Sequence, residues 1–115
     1  MIQRPQNLYE HYHAHVYFDA GSVDRAEALC RTAAERFGVA MGRVHRKLVG
    51  PHPQWSCQLA FDAGQFDVLI PWLDAHRDGL TVFVHGLSGN DLADHTVHAS
   101  WLGTPAVLDL SMFGG

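Results

Sequence analysis

Charged residues are scarce in this sequence. They make up 17% of the 115 residues, the formal net charge is −4, and no run of Lys or Arg is present. A protein that binds nucleic acid through its phosphates needs a concentrated positive charge. We therefore expect no nucleic-acid partner, and small or neutral molecules fit this composition better.

Long apolar runs and closely spaced cysteines are also missing. No stretch is long enough to cross a bilayer, and the first residues carry no apolar segment that would act as a signal peptide. These features predict no membrane partner and a cytoplasmic location. The two cysteines, Cys30 and Cys57, do not form a Cys-x-x-Cys motif, so we expect both to be buried as small apolar side chains.

Histidine, in contrast, is abundant. The nine histidines outnumber the eight Lys and Arg residues together. Hydrophobic residues make up 47% of the chain and no repeat or linker interrupts it, so residues 1–115 are predicted to form a single domain with its own core. Histidine is one of the rarer residues in an ordinary domain, so its content here is unusual.

The hydrophobic pattern predicts an alternation of strands and helices. Ser22 is a plausible N-cap of a first helix, and Asp62 with Gln65 forms a capping-box pattern at the start of a second. Apolar residues at steps of three and four predict a short third helix within Asn90–Leu102. Alternating apolar residues predict four strands, at Tyr12–Phe18, Arg43–Val49, Trp55–Phe61 and Leu80–His85.

The order of these elements predicts the fold class. Strand, helix, strand, strand, helix, strand is the ferredoxin-like βαββαβ order, an α+β fold with two helices on one face of a four-stranded antiparallel sheet. The face opposite the helices, which we call the histidine face, is predicted to carry His13, His15, His45, Phe83 and His85. A face with this mixture of side chains suits neither water nor a dry core, so we expect two copies to pack their open faces together as a homodimer, a dimeric α+β barrel.

Two histidines in the first strand predict a site for an ion or a substrate. His13 and His15 are two residues apart, so their side chains point to the same face and can reach one metal ion between them. His85 would join them from the neighbouring strand. Imidazole is a common ligand of iron, zinc, copper and nickel. A polar patch without metal remains the alternative.

Two further segments carry candidate site residues. In Gly50–Pro53 two prolines flank His52 and restrict the backbone, so the side chain is well aimed, with Trp55 close behind it; a simple tight turn is the alternative. His95 lies in an apolar helical stripe, where a histidine is either a hydrogen-bonded core residue or part of the site. His98 follows one turn later.

Four motifs together carry a family resemblance. "YHAHVYFD", "GPHPQWSCQLAF", "PWLDAHRDGLTVFVHG" and "DHTVHASWLG" are similar to the DOPA 4,5-dioxygenase family, in order and spacing, from about Tyr12 to Gly103. The resemblance implies a ferredoxin-like dimeric barrel and O₂-dependent extradiol cleavage of DOPA or a related catechol with non-haem Fe(II). One segment departs from the family pattern: Gly86 and then Leu87-Ser88-Gly89 follow His85, where the family usually has Pro and, soon after, Thr-Gly, which bears on the substrate range. The family's motif histidines fall at His13, His15, His52, His85 and His95.

The resemblance and the chemistry together suggest a role for each residue. We expect His13, His15 and His85 to bind the metal, and His52 or His95 to act as acid or base. The usual carboxylate ligand is missing from the histidine face, so either three histidines suffice or Asp94 approaches from the third helix. The residues predicted to contact substrate are Trp55, Phe83, His45 and His98. Two alternatives are a small-molecule binding or regulatory module without redox chemistry, and an acid/base enzyme without metal.

Overall fold

The computed structural model describes residues 3–111, which build one five-stranded antiparallel sheet with two long helices on one face. The sheet order is β2-β3-β1-β4-β5. The ferredoxin-like α+β order predicted from the sequence is confirmed, with an additional strand at one edge. The elements are β1 (His11–Phe18), α1 (Val23–Phe37), β2 (Ala40–His45), β3 (Trp55–Asp62), α2 (Ala63–His76), β4 (Val82–Gly86), α3 (Asp91–Asp94) and β5 (Ser100–Leu102).

The central strand β1 gives each face of the sheet its character. It pairs with β3 on one side and with β4 on the other, both antiparallel. Because side chains alternate along a strand, Ala14, Val16 and Phe18 point toward the helices, where all three are buried in the main core. His13, His15 and Tyr17 point to the opposite face.

Local sequence signals determine where the two long helices begin and end. The carboxylate of Asp62 accepts a hydrogen bond from the Gln65 backbone N–H, and the Gln65 side chain accepts one from the Asp62 N–H, which is the predicted capping box of α2. Helix α1 ends at Gly38, whose φ of 70° is the left-handed conformation that favours glycine. Ser22 occupies the predicted N-cap position of α1, but its hydroxyl bonds to Asp19 instead of to the helix.

The main core lies between the helices and the sheet. Both cysteines belong to it as buried free thiols, as predicted. The remaining core residues of the two helices are Ala26, Leu29 and Ala33 in α1 and Phe66, Leu69, Ile70 and Leu73 in α2.

None of the helices in the described part of the chain is both long and apolar enough to cross a bilayer.

The second strand was predicted at the wrong place. It spans Ala40–His45 rather than Arg43–Val49. Strand β3 begins at Trp55 and pairs Ser56 with His45, so residues beyond position 46 have no partner strand, and Leu48 is 65% exposed. The alternation that continued past His45 in the sequence therefore does not correspond to a strand.

The predicted third helix is also corrected. Only Asp91–Asp94 is helical, and Ser100–Leu102 forms β5, which pairs with the free edge of β4. The stripe that suggested a helix spans few turns, and pairing with an open strand edge satisfies more backbone groups. Trp101 consequently lies opposite Phe83 on the histidine face.

The face opposite the helices carries a second, smaller hydrophobic cluster. Tyr17, Phe83 and Trp101 are buried there, and Ala106 and Leu108 of the segment 104–111 pack against them. The backbone N–H of Asp109 donates to the carbonyl oxygen of Pro51 at 2.8 Å. This segment therefore covers part of the histidine face within the chain itself, and the homodimer stays a prediction.

Candidate active site

Three histidines of β1 and β4 converge on one point. His13 lies directly opposite His85 in the strand register, and His15 is two residues further along β1. One ring nitrogen from each of the three lies within 4.8 Å of the other two. We call His13, His15 and His85 the histidine triad.

The spacing of the triad fits a metal ion. Two nitrogens that bind one ion at a usual bond length and angle are roughly 3.0–3.4 Å apart, and the Nε2 atoms of His15 and His85 are 3.1 Å apart. The Nδ1–H of His85 donates to the carbonyl oxygen of Gly86 at 3.1 Å, which leaves the lone pair of the neutral ring on Nε2. The triad can therefore hold a metal.

The electrostatics of the triad favour neutral imidazoles. Burial lowers the pKa of His15 well below its usual range, and the neighbouring histidines lower it further. Burial likewise lowers the pKa of His85 to about 4, against the opposing effect of its hydrogen bond to Gly86. The pKa of His13 is lowered by burial and by His95. Because only neutral imidazole offers a lone pair to a metal, the triad is ready to bind one at neutral pH.

Phe83 forms the apolar centre of the site. Its side chain is fully buried on the histidine face, where the sequence placed it. The ring centroid lies 5.1 Å from His85, 5.6 Å from His15, 5.5 Å from His95 and 6.2 Å from His52. One aromatic ring thus contacts four of the predicted site histidines and limits the water around them.

His52 approaches the triad from the loop between β2 and β3. Its ring lies 4.2 Å from that of His15, and its Nδ1 is 2.7 Å from the hydroxyl of Tyr17. Burial lowers the pKa of His52 to about 4, with further lowering by nearby histidines including His45. Burial also raises the pKa of the Tyr17 phenol. Both groups of this pair are therefore uncharged at neutral pH.

His95 contacts a different member of the triad, His85. Its ring lies 4.7 Å from that of His85, and its Nδ1 is 2.6 Å from the carbonyl oxygen of Asp91. The apolar stripe predicted around His95 does not exist as a helix face, because α3 ends at Asp94. His95 is half-buried beside the site rather than in the main core.

Asp94 is a neighbour of the triad but not a member of it. Its buried carboxylate accepts hydrogen bonds from the backbone N–H and the hydroxyl of Ser88. Its negative charge raises the pKa of His85, against the larger effect of burial. Within residues 3–111, the group that can hold a metal consists of histidines alone.

The structure separates two of the predicted substrate contacts from the triad. Trp55 lies opposite Phe18 on the helix face and packs against the main core, so its contacts are those of a core residue. His98 contacts the ring of Tyr9 and lines a small cavity of about 40 Å³ with Phe66 on the helix side. His45 does face the histidine side, through its pairing with Ser56.

Comparison with known proteins gives this site its context. The model of the Dopa 4,5-dioxygenase family matches residues 12–112. The chain belongs to this family. The prediction made from the four sequence motifs is thereby confirmed, and the family supports an oxygenase as the class of enzyme.

Individual relatives agree with the family match. The chain is 28% identical over 109 residues to a DOPA 4,5-dioxygenase of Amanita muscaria. The aligned region covers 87% of this chain and 48% of that protein. It is 36% identical over 72 residues to an uncharacterized 21.2 kDa protein of Botryotinia fuckeliana, covering 56% of this chain and 39% of that protein. The chain therefore spans half or less of the length of these curated relatives.

A solved structure shares the fold. A crystal structure of a candidate dioxygenase from Nostoc punctiforme superimposes with a TM-score of 0.86 and 42% identity, covering 90% of each chain. At this similarity the two proteins have the same fold.

Two aromatic residues near the triad, Tyr17 and Trp101, were not predicted as site residues from the sequence. Tyr17 follows His15 by two residues and so shares its face, a signal that the alternation of β1 already contained. Trp101 lies 4.8 Å from Phe83 between ring centroids. The sequence assigned Trp101 to a helix, so its place beside Phe83 became visible only when β5 paired with β4.

Proposed function

We propose that this chain is an extradiol ring-cleaving dioxygenase that opens DOPA or a related catechol with O₂ and non-haem Fe(II). The observation that carries the proposal is the histidine triad: three uncharged imidazoles converge within 4.8 Å in a chain of a dioxygenase family. His13, His15 and His85 would hold the iron, and the iron would supply the centre at which the catechol and O₂ react.

The side chains around the triad provide the other functions that ring cleavage needs. Phe83 supplies an apolar surface against which an aromatic ring can lie. The rings of His52 and His95 contact those of His15 and His85 in the triad, and imidazole is well suited to move a proton near neutral pH. His45 lies further out on the same face, where it can contact a substituent of the substrate.

The test is oxygen uptake by the reconstituted protein. The protein is loaded anaerobically with Fe(II), given L-DOPA or caffeate, and watched for a yellow ring-opened product. We expect uptake that disappears on chelation and in His15→Ala. His11→Ala is the matched control, because His11 is on the same strand but exposed, and it should retain activity.

The outcome also decides between the proposed function and its alternatives. No uptake with several catechols at stoichiometric iron would contradict the proposal and favour a binding module. Turnover that survives chelation would also contradict the proposal and would favour acid/base chemistry by the histidines alone.

We also propose a homodimer. Light scattering on the protein as it elutes from a size-exclusion column should then give twice the mass of one 12.7 kDa chain.

A further inference from the structure

The cations without an acidic or aromatic partner lie in one short segment. Four of the eight Lys and Arg residues form salt bridges, and Arg36 lies over the ring of Phe37. The other three, Arg43, Arg46 and Lys47, are exposed and form no salt bridge within residues 3–111. In a chain of net charge −4, this segment at the end of β2 is where an anionic molecule is attracted.

A β-bulge in β2 places Arg43 on the histidine face. The register of β2 against β3 shifts between Met41 and Val44, and both of these side chains pack against the main core. Two residues, Gly42 and Arg43, therefore stand opposite the single residue Gln58 of β3. Because side chains alternate along a strand, the neighbour of Val44 points away from the core. Arg43 thus shares a face with the histidine triad.

Arg43 and His15 lie in line across three neighbouring strands. Gln58 of β3 stands directly opposite His15 of β1, and the bulge of β2 stands on the other side of Gln58. Two strand spacings therefore separate Arg43 from His15, which is on the order of 10 Å between their backbones. A catechol ring with a side chain of three carbons is of similar length. Arg43 can therefore meet the end of such a side chain when the ring is at the triad.

The histidine face is open toward β2 and filled toward β5. On the β5 side, Phe83 and Trp101 stack at 4.8 Å between ring centroids, and the segment 104–111 packs against them. On the β2 side, the first position of the bulge is a glycine, and the side chain of Ala60 in β3 is only a methyl group. A substituent on a ring at the triad therefore has room to extend toward β2.

We propose that Arg43 binds the carboxylate of the substrate, so that the enzyme selects catechols whose side chain ends in a carboxylate over those with an uncharged end. This inference rests on the proposed function and narrows its substrate. A guanidinium can form two parallel hydrogen bonds to a carboxylate, which an ester cannot match. Because Arg43 is exposed, solvent screens the pair, and we expect a gain in affinity of about fivefold or somewhat more.

Equilibrium binding tests the role of Arg43 without turnover. Caffeate and methyl caffeate share the catechol ring and the three-carbon side chain, but only caffeate carries a negative charge at its end. Calorimetry on the full chain loaded with Zn(II) gives the Kd of each. We expect the wild type to bind caffeate about fivefold more tightly than the ester, and Arg43→Gln to bind the two nearly equally. Arg36→Gln removes the same charge from α1 and should keep the preference.

Two results of the binding measurement would overturn the proposal. A preference for caffeate that persists in Arg43→Gln would leave Arg43 as a charge that protects the edge strand β2 from pairing with other chains. A wild type that binds caffeate no more tightly than the ester would show that no residue of the site recognises the carboxylate. Arg43 is exposed, so its replacement should leave the urea unfolding curve of the chain unchanged.

Kinetics separate this inference from the proposed function. On the protein loaded with Fe(II), Arg43→Gln should raise KM for caffeate about fivefold with little change in kcat, because the contact is made equally before and during the reaction. Both constants for methyl caffeate should stay the same. Unchanged constants for caffeate would overturn the inference while the dioxygenase activity stands. Absence of turnover with both catechols in the wild type would overturn the proposed function, and the binding measurement would still decide the role of Arg43.

Discussion

Acidification should destabilise the metal-free protein well before its carboxylates are protonated. Burial lowers the pKa of His52 and of His85 from the ordinary 6.5 to about 4. Protons therefore bind the unfolded chain more tightly than the folded one. The free energy of unfolding should be flat above about pH 7, fall between about pH 6.5 and pH 4, and level off for these groups below that.

The size of the loss follows from the two pKa values. For a histidine shifted from 6.5 to about 4, moving from pH 7 to pH 5 costs about 2 kcal/mol. We count His52 at about half of this, because it belongs to a surface loop where solvent screens its charge. The pair then contributes about 3 kcal/mol, and the lowered pKa of His15 acts in the same direction. Total stabilities of about 5–15 kcal/mol make this a large change.

Urea denaturation in the presence of a chelator measures the effect. The free energy of unfolding is determined from about pH 7.5 to pH 5 by tryptophan fluorescence. His52→Phe removes one of the shifted groups, so its stability should fall less steeply with pH, whatever its absolute value. A wild-type stability that changes by less than about 0.5 kcal/mol over this range would refute the reasoning, since the buried rings would then take up protons as easily as the unfolded chain.

Three further changes test the site and its surroundings. A metal ion at about 100 times its Kd should stabilise the wild type by about 2.7 kcal/mol. The resulting rise in Tm should vanish in His85→Ala and persist in His11→Ala. A rise in His85→Ala equal to that of the wild type would exclude His85 as a ligand. Phe83→Ala should cost about 3–5 kcal/mol in urea unfolding, because the ring is fully buried, and Phe83→Leu clearly less; equal losses would argue against a packing role. Gly86→Ala places a Cβ against the ring of Tyr9 and should cost about 1–3 kcal/mol, most of which should disappear in a Tyr9→Ala background; an unchanged cost there would point to another cause.

Sequence periodicity was sufficient for the parts of the site that lie on the central strand. The period of two in β1 places His13 and His15 on one face, and the same rule brings Phe83 and His85 of β4 to that face. Pairing of first and last strands in the ferredoxin-like order then makes the triad predictable. These inferences use only side-chain alternation and one topology rule.

Features that depend on tertiary pairing could not be predicted in the same way. A local pattern does not show where a partner strand ends, so β2 was extended beyond His45. The segment that became β5 has a helical spacing of apolar residues, and only the free edge of β4 makes it a strand. The contact between Tyr17 and His52 joins residues 35 positions apart, through a loop whose path no periodicity describes.

The separation of the three triad histidines along the chain has a consequence for biosynthesis. His15 and His85 are 70 positions apart, and they meet only when β4 has paired with β1. A nascent chain that has not yet reached β4 holds only two members of the triad, His13 and His15. Any tight binding of a metal by all three histidines must therefore follow the long-range strand pairing, and it would report that the central sheet of a newly made molecule has formed.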